Sequence, residues 1–357
     1  MDMIEPDPSL YRVPYMTNEY LGMPYRQLGN SGLRVSNIGL GTYKFGFPET
    51  GDNSRVGEKD AYKILDAAAE LGVTFWDTAN RYNEGAGNSE RILGRWFKAN
   101  PRERRNIVLA TKIFGGMDGR TPNHGGASRG NILDSVDACL SRLQVDTIDL
   151  LYFHRIDTLT PIEESLTTIE DLVSRGIVRY FAISGATVSQ LRMYQAGEQQ
   201  LSPRCRVVAV QNQYDIINGE NTDWAGAYQY AADHGISFIG FFPLARGLLT
   251  DRYLSPDRCG AGDRLVDEGT LQEDLSPRVT SILKRLAGLA QEWGMELSQL
   301  TLSYMLSLPG MGPVIPGCSS VAQLTSNARA GTIQLEPGQI VKIQTALEAP
   351  QSSEERN

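Results

Sequence analysis

The chain has 357 residues, a net charge of −8 and a hydrophobic content of 41%. A negative balance with no long Lys/Arg-rich run excludes nucleic-acid and acidic-membrane surfaces, because either polyanion would be repelled. No apolar stretch approaches bilayer-spanning length, the acidic start at Met1–Asp7 lacks a signal peptide's basic-then-apolar layout, and the four cysteines form no C-x-x-C pair, so a soluble, cytoplasmic protein with reduced thiols is expected.

Residues 1–24 carry Pro, Asp and Tyr without periodicity and are expected to form a surface extension. Tyr25–Gly29 and Leu33–Val35 flank Asn30-Ser31-Gly32, which predicts a hairpin. Asn37–Tyr43 reads as the first core strand. Glu58–Leu71 places Ala61, Ile64, Leu65, Ala68 and Leu71 at helical spacing and stops at Gly72. Thr74-Phe75-Trp76 is a short buried strand that turns polar at Asp77, then delivers Asn80, Arg81 and Tyr82 into the Gly-rich loop 83–88. A helix opened by Asn88 and Ser89 carries Ile92, Leu93, Trp96 and Phe97.

Asn106–Thr111 is a strand running into Lys112. The Gly-rich stretch 115–126 is too long for a connector and becomes a candidate substrate loop, as does the irregular stretch 252–275. Ile132–Leu143 is helical, with Cys139 expected to be buried. Thr147–Phe153 is a strand running into His154, and Pro161, Glu163 and Glu164 suit the first turn of the next helix. Strand Val178–Ser184, helix Thr187–Ala196, strand Arg206–Gln211, helix Trp224–His234 and strand Ile236–Phe242 follow. Helices at Val279–Trp293 and Leu297–Leu306 precede an eighth strand at Pro313–Ile315. Helices at Ser320–Ala330 and Gly338–Leu347 lead to a polar tail.

Strands alternating with helices in this way predict an α/β chain, a (β/α)8 TIM barrel with an N-terminal hairpin and extra C-terminal helices. The expected organisation is an extension at 1–24, the barrel over 25–335, and a terminal helix and tail over 336–357. A dinucleotide-binding open sheet is disfavoured: Gly39-x-Gly41 follows a strand but lacks the third glycine and opens no helix.

Barrel strands deliver their C-terminal ends to one mouth, so Asp77, Lys112 and His154 can converge. Period-two alternation turns Trp76 and Thr78 away from them. A phenol with a pKa near ~10 is a poor acid unless a cation favours its ionised form, and Lys112 would supply that cation. A lysine at the end of an apolar strand is costly unless paired, and Asp77 is its candidate partner. Each residue has a plainer reading on its own: Asp77 as a cap, Lys112 at the surface, His154 as a structural histidine, Ser184 and Gln211 as strand-end polar groups. Together at five strand ends, with a phenol beside them, the functional reading is the stronger.

The run Asp77-Thr78-Ala79-x-x-Tyr82-Asn83-x-Gly85-x-x-x-Ser89-Glu90-x-x-Leu93-Gly94 closely resembles the signature of aldo-keto reductases, and Ala110-Thr111-Lys112 and Leu151-Tyr152-Phe153-His154 match its next blocks in order. The resemblance implies an NAD(P)-dependent oxidoreductase acting on a carbonyl or alcohol, without a metal. Tyr82 would be the general acid/base, Lys112 and Asp77 would tune it, and His154 would orient the carbonyl. Ser184 and Gln211 would hold the nicotinamide carboxamide and Phe241 would stack on the ring. Gly185 and Phe242 depart from the family's usual Asn and Ser. Leu244 and Arg246 would follow the pyrophosphate. Gly317 and Ser319 would form the adenosine-phosphate loop, with Gln323 and Asn327 facing the adenine. Gly41 and Thr42 are counted with the cofactor set, and Tyr43 is the candidate substrate wall, with Trp224 placed in the core. NADP is the expected cofactor and NAD its alternative, since the loop at 317–320 carries no charge. A cofactor-binding regulatory subunit with little turnover is the rival function. A metal-dependent barrel hydrolase fits Thr111-Lys112 and Ser184 poorly.

Overall fold

The computed structural model describes residues 17–83, 87–117, 119–255, 257 and 259–348. Strands β1 (Glu19–Tyr20), β2 (Met23–Gln27) and β3 (Arg34–Ser36) form an antiparallel sheet. Part of the expected extension is therefore structured. Leu21 and Gly22 both take positive φ, 51° and 78°, the geometry of a two-residue hairpin turn, and Met23 behind them is 2% exposed. Residues 1–16 of that expectation lie outside the described residues.

The parallel strands are β4 (Gly39–Gly41), β5 (Phe75–Asp77), β6 (Val108–Ile113), β7 (Ile148–Phe153), β8 (Val178–Ser184) and β9 (Val207–Asp215), paired in that order. A short β10 (Gly219–Glu220) folds back on β9, and β11 (Ser237–Phe241) pairs parallel to β9. The intervening helices are α1 (Glu58–Glu70), α2 (Asn88–Ala99), α3 (Arg129–Leu143), α4 (Ile162–Ser174), α5 (Val188–Leu201) and α6 (Ala227–Asp233). After β11 come the short α7 (Arg264–Asp267) and α8 (Leu271–Asp274), then α9 (Pro277–Glu292), α10 (Leu297–Ser307), α11 (Val321–Ala330) and α12 (Pro337–Glu348).

The eighth stave is an extended segment rather than a regular strand. Met311 bridges Phe238, while Val314 and Gly317 bridge Ile38 and Gly41, which closes the (β/α)8 barrel. Pro313 and Pro316 have no N–H to give, so a continuous ladder cannot form there.

The two faces of the strands divide the core. Phe75, Ala110, Leu150, Tyr152, Ala182, Ala209 and Ile239 fill the barrel interior, joined by Leu28 and Val35 from the hairpin. Trp76 points outward, 4.8 Å from Trp96 and 5.5 Å from Phe97 on α2. Because the pleat has period two, the residue two beyond each inward apolar position also faces inward. Phe75 leads to Asp77, Ala110 to Lys112, Tyr152 to His154, Ala182 to Ser184, Ala209 to Gln211 and Ile239 to Phe241.

The outward partner of Lys112 holds that register. Thr111 donates to the Glu90 carboxylate at 2.6 Å, and Arg142 on α3 closes the pair at 2.7 Å. A one-residue slip of β6 would drive Lys112 into the apolar helix layer.

Candidate active site

At the C-terminal mouth, Lys112 is 1% exposed and donates to Asp77, to the Thr78 carbonyl at 3.0 Å and to the Tyr82 hydroxyl at 2.7 Å. The Tyr82 hydroxyl donates to Asp77 Oδ1 at 3.2 Å. Gln211 donates through Nε2 to the other oxygen, Asp77 Oδ2, at 3.0 Å. His154 stands edge-on to Tyr82 with 5.9 Å between ring centroids. Beneath them the Tyr152 ring lies 5.4 Å from the Lys112 ammonium, its hydroxyl buried with no hydrogen-bond partner among the described residues.

Burial, and then the negative charge of Asp77, push the Tyr82 phenol well above its ordinary value. This reverses the sequence expectation: the ammonium is in place, but removal from water and the Asp77 carboxylate raise the phenol and keep the hydroxyl protonated. Burial also lowers Lys112, with Asp77 opposing that shift. His154 is pushed down to about 3, by burial first and then by Lys112 and Arg155, so its imidazole is neutral at physiological pH.

That displacement has a sign for stability. Between about pH 6.5 and pH 3 the unfolded chain takes up a proton that folded His154 refuses, so stability falls as pH drops through that window. His154→Gln is expected to flatten this slope by up to one proton, measured by denaturant unfolding at pH 4.5 and 7.5. An unchanged slope would refute the neutral imidazole.

Above the cluster opens a cavity of ≈ 1380 Å³, larger than the several hundred Å³ usual for a small ligand alone. Ser184, Gln211 and Phe241 form one wall, with Ser184 donating to the Gln211 carbonyl at 2.8 Å. Leu244 and Arg246 continue it. Phe242, Ala245 and Arg246 take φ of 57°, 47° and 58°, three left-handed non-glycine residues close in sequence, of the kind that clusters at ligand clamps. The far end is lined by Gly317, Ser319, Gln323 and Asn327, with Gln323 accepting from the Ser319 backbone at 2.9 Å and hydroxyl at 3.1 Å.

A sequence profile of the aldo/keto reductase family matches residues 37–348. The chain is 30% identical over 341 residues to the aldo-keto reductase str7 of Strobilurus tenacellus, covering 94% of this chain and 95% of that one. It is likewise 30% identical over 333 residues to a probable voltage-gated potassium channel subunit beta of Arabidopsis thaliana (92% and 97%). The L-glyceraldehyde 3-phosphate reductase of Escherichia coli K12 is 30% identical over 319 residues (87% and 88%). The chain belongs to the aldo/keto reductase family.

Most positions expected to serve an aldo/keto reductase meet in this one place. Asp77, Tyr82 and His154 line the cavity, with Lys112 directly beneath, and Gly41 lines it at the first strand. Thr42 differs: its side chain is fully buried and donates to the Asp77 carbonyl at 3.0 Å, away from the cavity. Arg246 lines the wall but is held by Glu268 at 3.0 Å and Asp274 at 2.6 Å.

Tyr43 is 42% exposed and stands edge-on to Tyr82 at 5.2 Å. Trp224 was expected in the core and instead lines the cavity, half-buried, 6.0 Å from Phe241. Its indole stands against Gly185, where a Cβ would sit 3.6 Å away, in ordinary contact. The stretch 115–126 lines no part of the cavity among its described residues. Asn53, Ser54 and Arg55 take that place, with Arg252 and 262–264 from the second expected loop. Residues 84–86 of the Gly-rich loop lie outside the described residues.

Proposed function

We propose that the protein is an NAD(P)(H)-dependent oxidoreductase interconverting a carbonyl compound and an alcohol. The observation that carries this reading is the Lys112–Asp77–Tyr82 cluster, with neutral His154, at a cavity of ≈ 1380 Å³, a volume with room for a dinucleotide and a substrate together.

The cavity fits the group. Ser184, Gln211 and Phe241 line it together, as do Phe242 and Arg246 with their left-handed backbone and Gly317 and Ser319 of an uncharged loop. When bound, a nicotinamide dinucleotide supplies the hydride donor or acceptor. Gln211 would hold the carboxamide while keeping its donor on Asp77.

In reduction, the Tyr82 hydroxyl gives its proton to the carbonyl oxygen. The Lys112 ammonium, 2.7 Å away, stabilises the phenolate that results, and Asp77 keeps Lys112 charged and aimed. The neutral His154 ring donates an N–H to the same oxygen and so places the carbonyl. In the reverse direction Tyr82 is the base.

The test is titration of the purified protein with NADPH and NADH by nicotinamide fluorescence, then turnover on a panel of aldehydes, ketones and sugars. Saturable turnover supports the reading. Tight nucleotide binding with no turnover on any member would favour the regulatory-subunit alternative, in keeping with the channel-subunit name of one relative.

At the adenosine end, Ser319 is exposed and the cavity lining from Ile315 to Asn327 carries no cation among the described residues. That segment itself would offer a 2′-phosphate only hydroxyls and amides, with Lys44 the lining cation that interacts with Cys318. Ser319→Arg is expected to improve the NADPH:NADH affinity ratio by about 10- to 100-fold, the worth of one charge-assisted contact. No change in the ratio would show that the adenosine end lies elsewhere.

A further inference from the structure

We infer that the carbonyl compound carries an anionic group, a carboxylate or a phosphate, held by Arg81 and Arg155; this deepens the function proposed above and rests on it. The argument comes from which charges around the cavity are already neutralised. Arg55 is paired with Asp267 at 3.0 Å, Arg252 with Asp263 at 2.6 Å, Arg264 with Glu268 at 2.6 Å, and Arg246 with Glu268 and Asp274. Arg81 and Arg155 also line the cavity, yet neither has an ion pair or a hydrogen bond through its guanidinium to any described residue.

The described acid closest in sequence to Arg155 is spoken for. Asp157, two residues past Arg155, accepts from the backbone of Ala127 at 2.7 Å and of Leu159 at 2.8 Å, and from the Thr160 hydroxyl at 2.7 Å. Lys44 is the third lining cation without an ion pair among the described residues, but it interacts electrostatically with Cys318, in the loop where the dinucleotide's own phosphates are proposed to run.

Position matters as much as charge. Arg81 immediately precedes Tyr82 and Arg155 immediately follows His154, the two groups that would hold the carbonyl oxygen. Both side chains line the same cavity as the reacting groups, with Tyr43 and Trp224 also in its lining. The protein as a whole is negative, at −8, so an anionic substrate needs a local positive focus to enter. Guanidinium suits the task because it stays charged at every working pH and grips carboxylate or phosphate with two N–H groups. The depressed pKa of His154, to which Arg155 contributes, reports the same positive field.

The test compares substrates with and without the anionic group. kcat/KM is measured for 4-carboxybenzaldehyde against its methyl ester, and for glyceraldehyde 3-phosphate against glyceraldehyde, which separates carboxylate from phosphate. Wild type is expected to prefer the charged member of at least one pair by about 10- to 100-fold, and less so in 0.5 M NaCl. Arg81→Gln with Arg155→Gln should bring that ratio to near one, while Arg155→Lys retains part of it. A wild-type ratio near one in both pairs, or a ratio unchanged in the double variant, would overturn the inference. If no member turns over, the proposed oxidoreductase reading fails, and calorimetric binding of terephthalate, with and without nucleotide, still decides the anion site. Binding lost in the double variant supports it; binding absent in wild type or equal in both proteins overturns it.

Discussion

Tyr82→Phe is expected to lower kcat by about 10²–10⁴-fold, the range general acid–base groups contribute, with nucleotide affinity nearly unchanged. The substitution removes one oxygen and leaves the ring against Tyr43 and His154. It deletes the proton donor alone, since Lys112 keeps its bonds to Asp77 and to the Thr78 carbonyl. Single-turnover nucleotide oxidation separates this from slow product release. Turnover at the wild-type rate would remove Tyr82 from the chemistry. A parallel fall in nucleotide affinity would recast it as a cofactor contact.

Lys112→Met should cost both stability and activity. The lysine is 1% exposed and Asp77 2%, so the variant leaves a carboxylate buried with Gln211 and the Tyr82 hydroxyl as its remaining partners. Breaking a buried pair in this way costs about 3–5 kcal/mol, read as a fall of roughly 4–7 °C in thermal midpoint for a chain of this size. The combination Lys112→Met with Asp77→Asn removes both charges and should recover most of the stability, because a buried pair is often replaceable by neutral groups. It should recover none of the activity, since nothing then stabilises the phenolate. Restored turnover in the double variant would refute the role given to the ammonium.

The barrel and its reactive cluster were legible because both rest on local patterns. Each reactive side chain ends a short apolar run, and period two then dictates which way it points, as with Trp76 outward and Asp77 inward. The carboxylate, ammonium and phenol are also unusual enough at strand ends to announce a site. Other features depend on tertiary contacts that no local pattern carries. Phe242, Ala245 and Arg246 are ordinary residue types whose left-handed backbone only the folded chain imposes. That Arg81 and Arg155 have no ion pair among the described residues emerges only once the described carboxylates around the cavity have been assigned. The direction of the Tyr82 shift turned on burial, which sequence reasoning weighed too lightly against the adjacent cation. Gly22 after Leu21 was the one missed local signal, marking a hairpin inside a stretch read as featureless.

The N-terminal hairpin carries a consequence of its own. Leu28 and Val35 reach into the barrel interior, Arg26 grips the carbonyls of Met311 and Gly312 at 2.8 and 3.0 Å, and Asn30 donates its backbone N–H to Gly235 at 2.7 Å. The hairpin is a stopper at the end of the barrel farthest from the mouth. Loosening it would let solvent climb the axis past Ala110 and Leu150 towards the ammonium–carboxylate pair, raising the local dielectric on which that pair's strength depends. Damage at the base of the cask would then surface as a chemical defect at its rim, with every reacting group still in place.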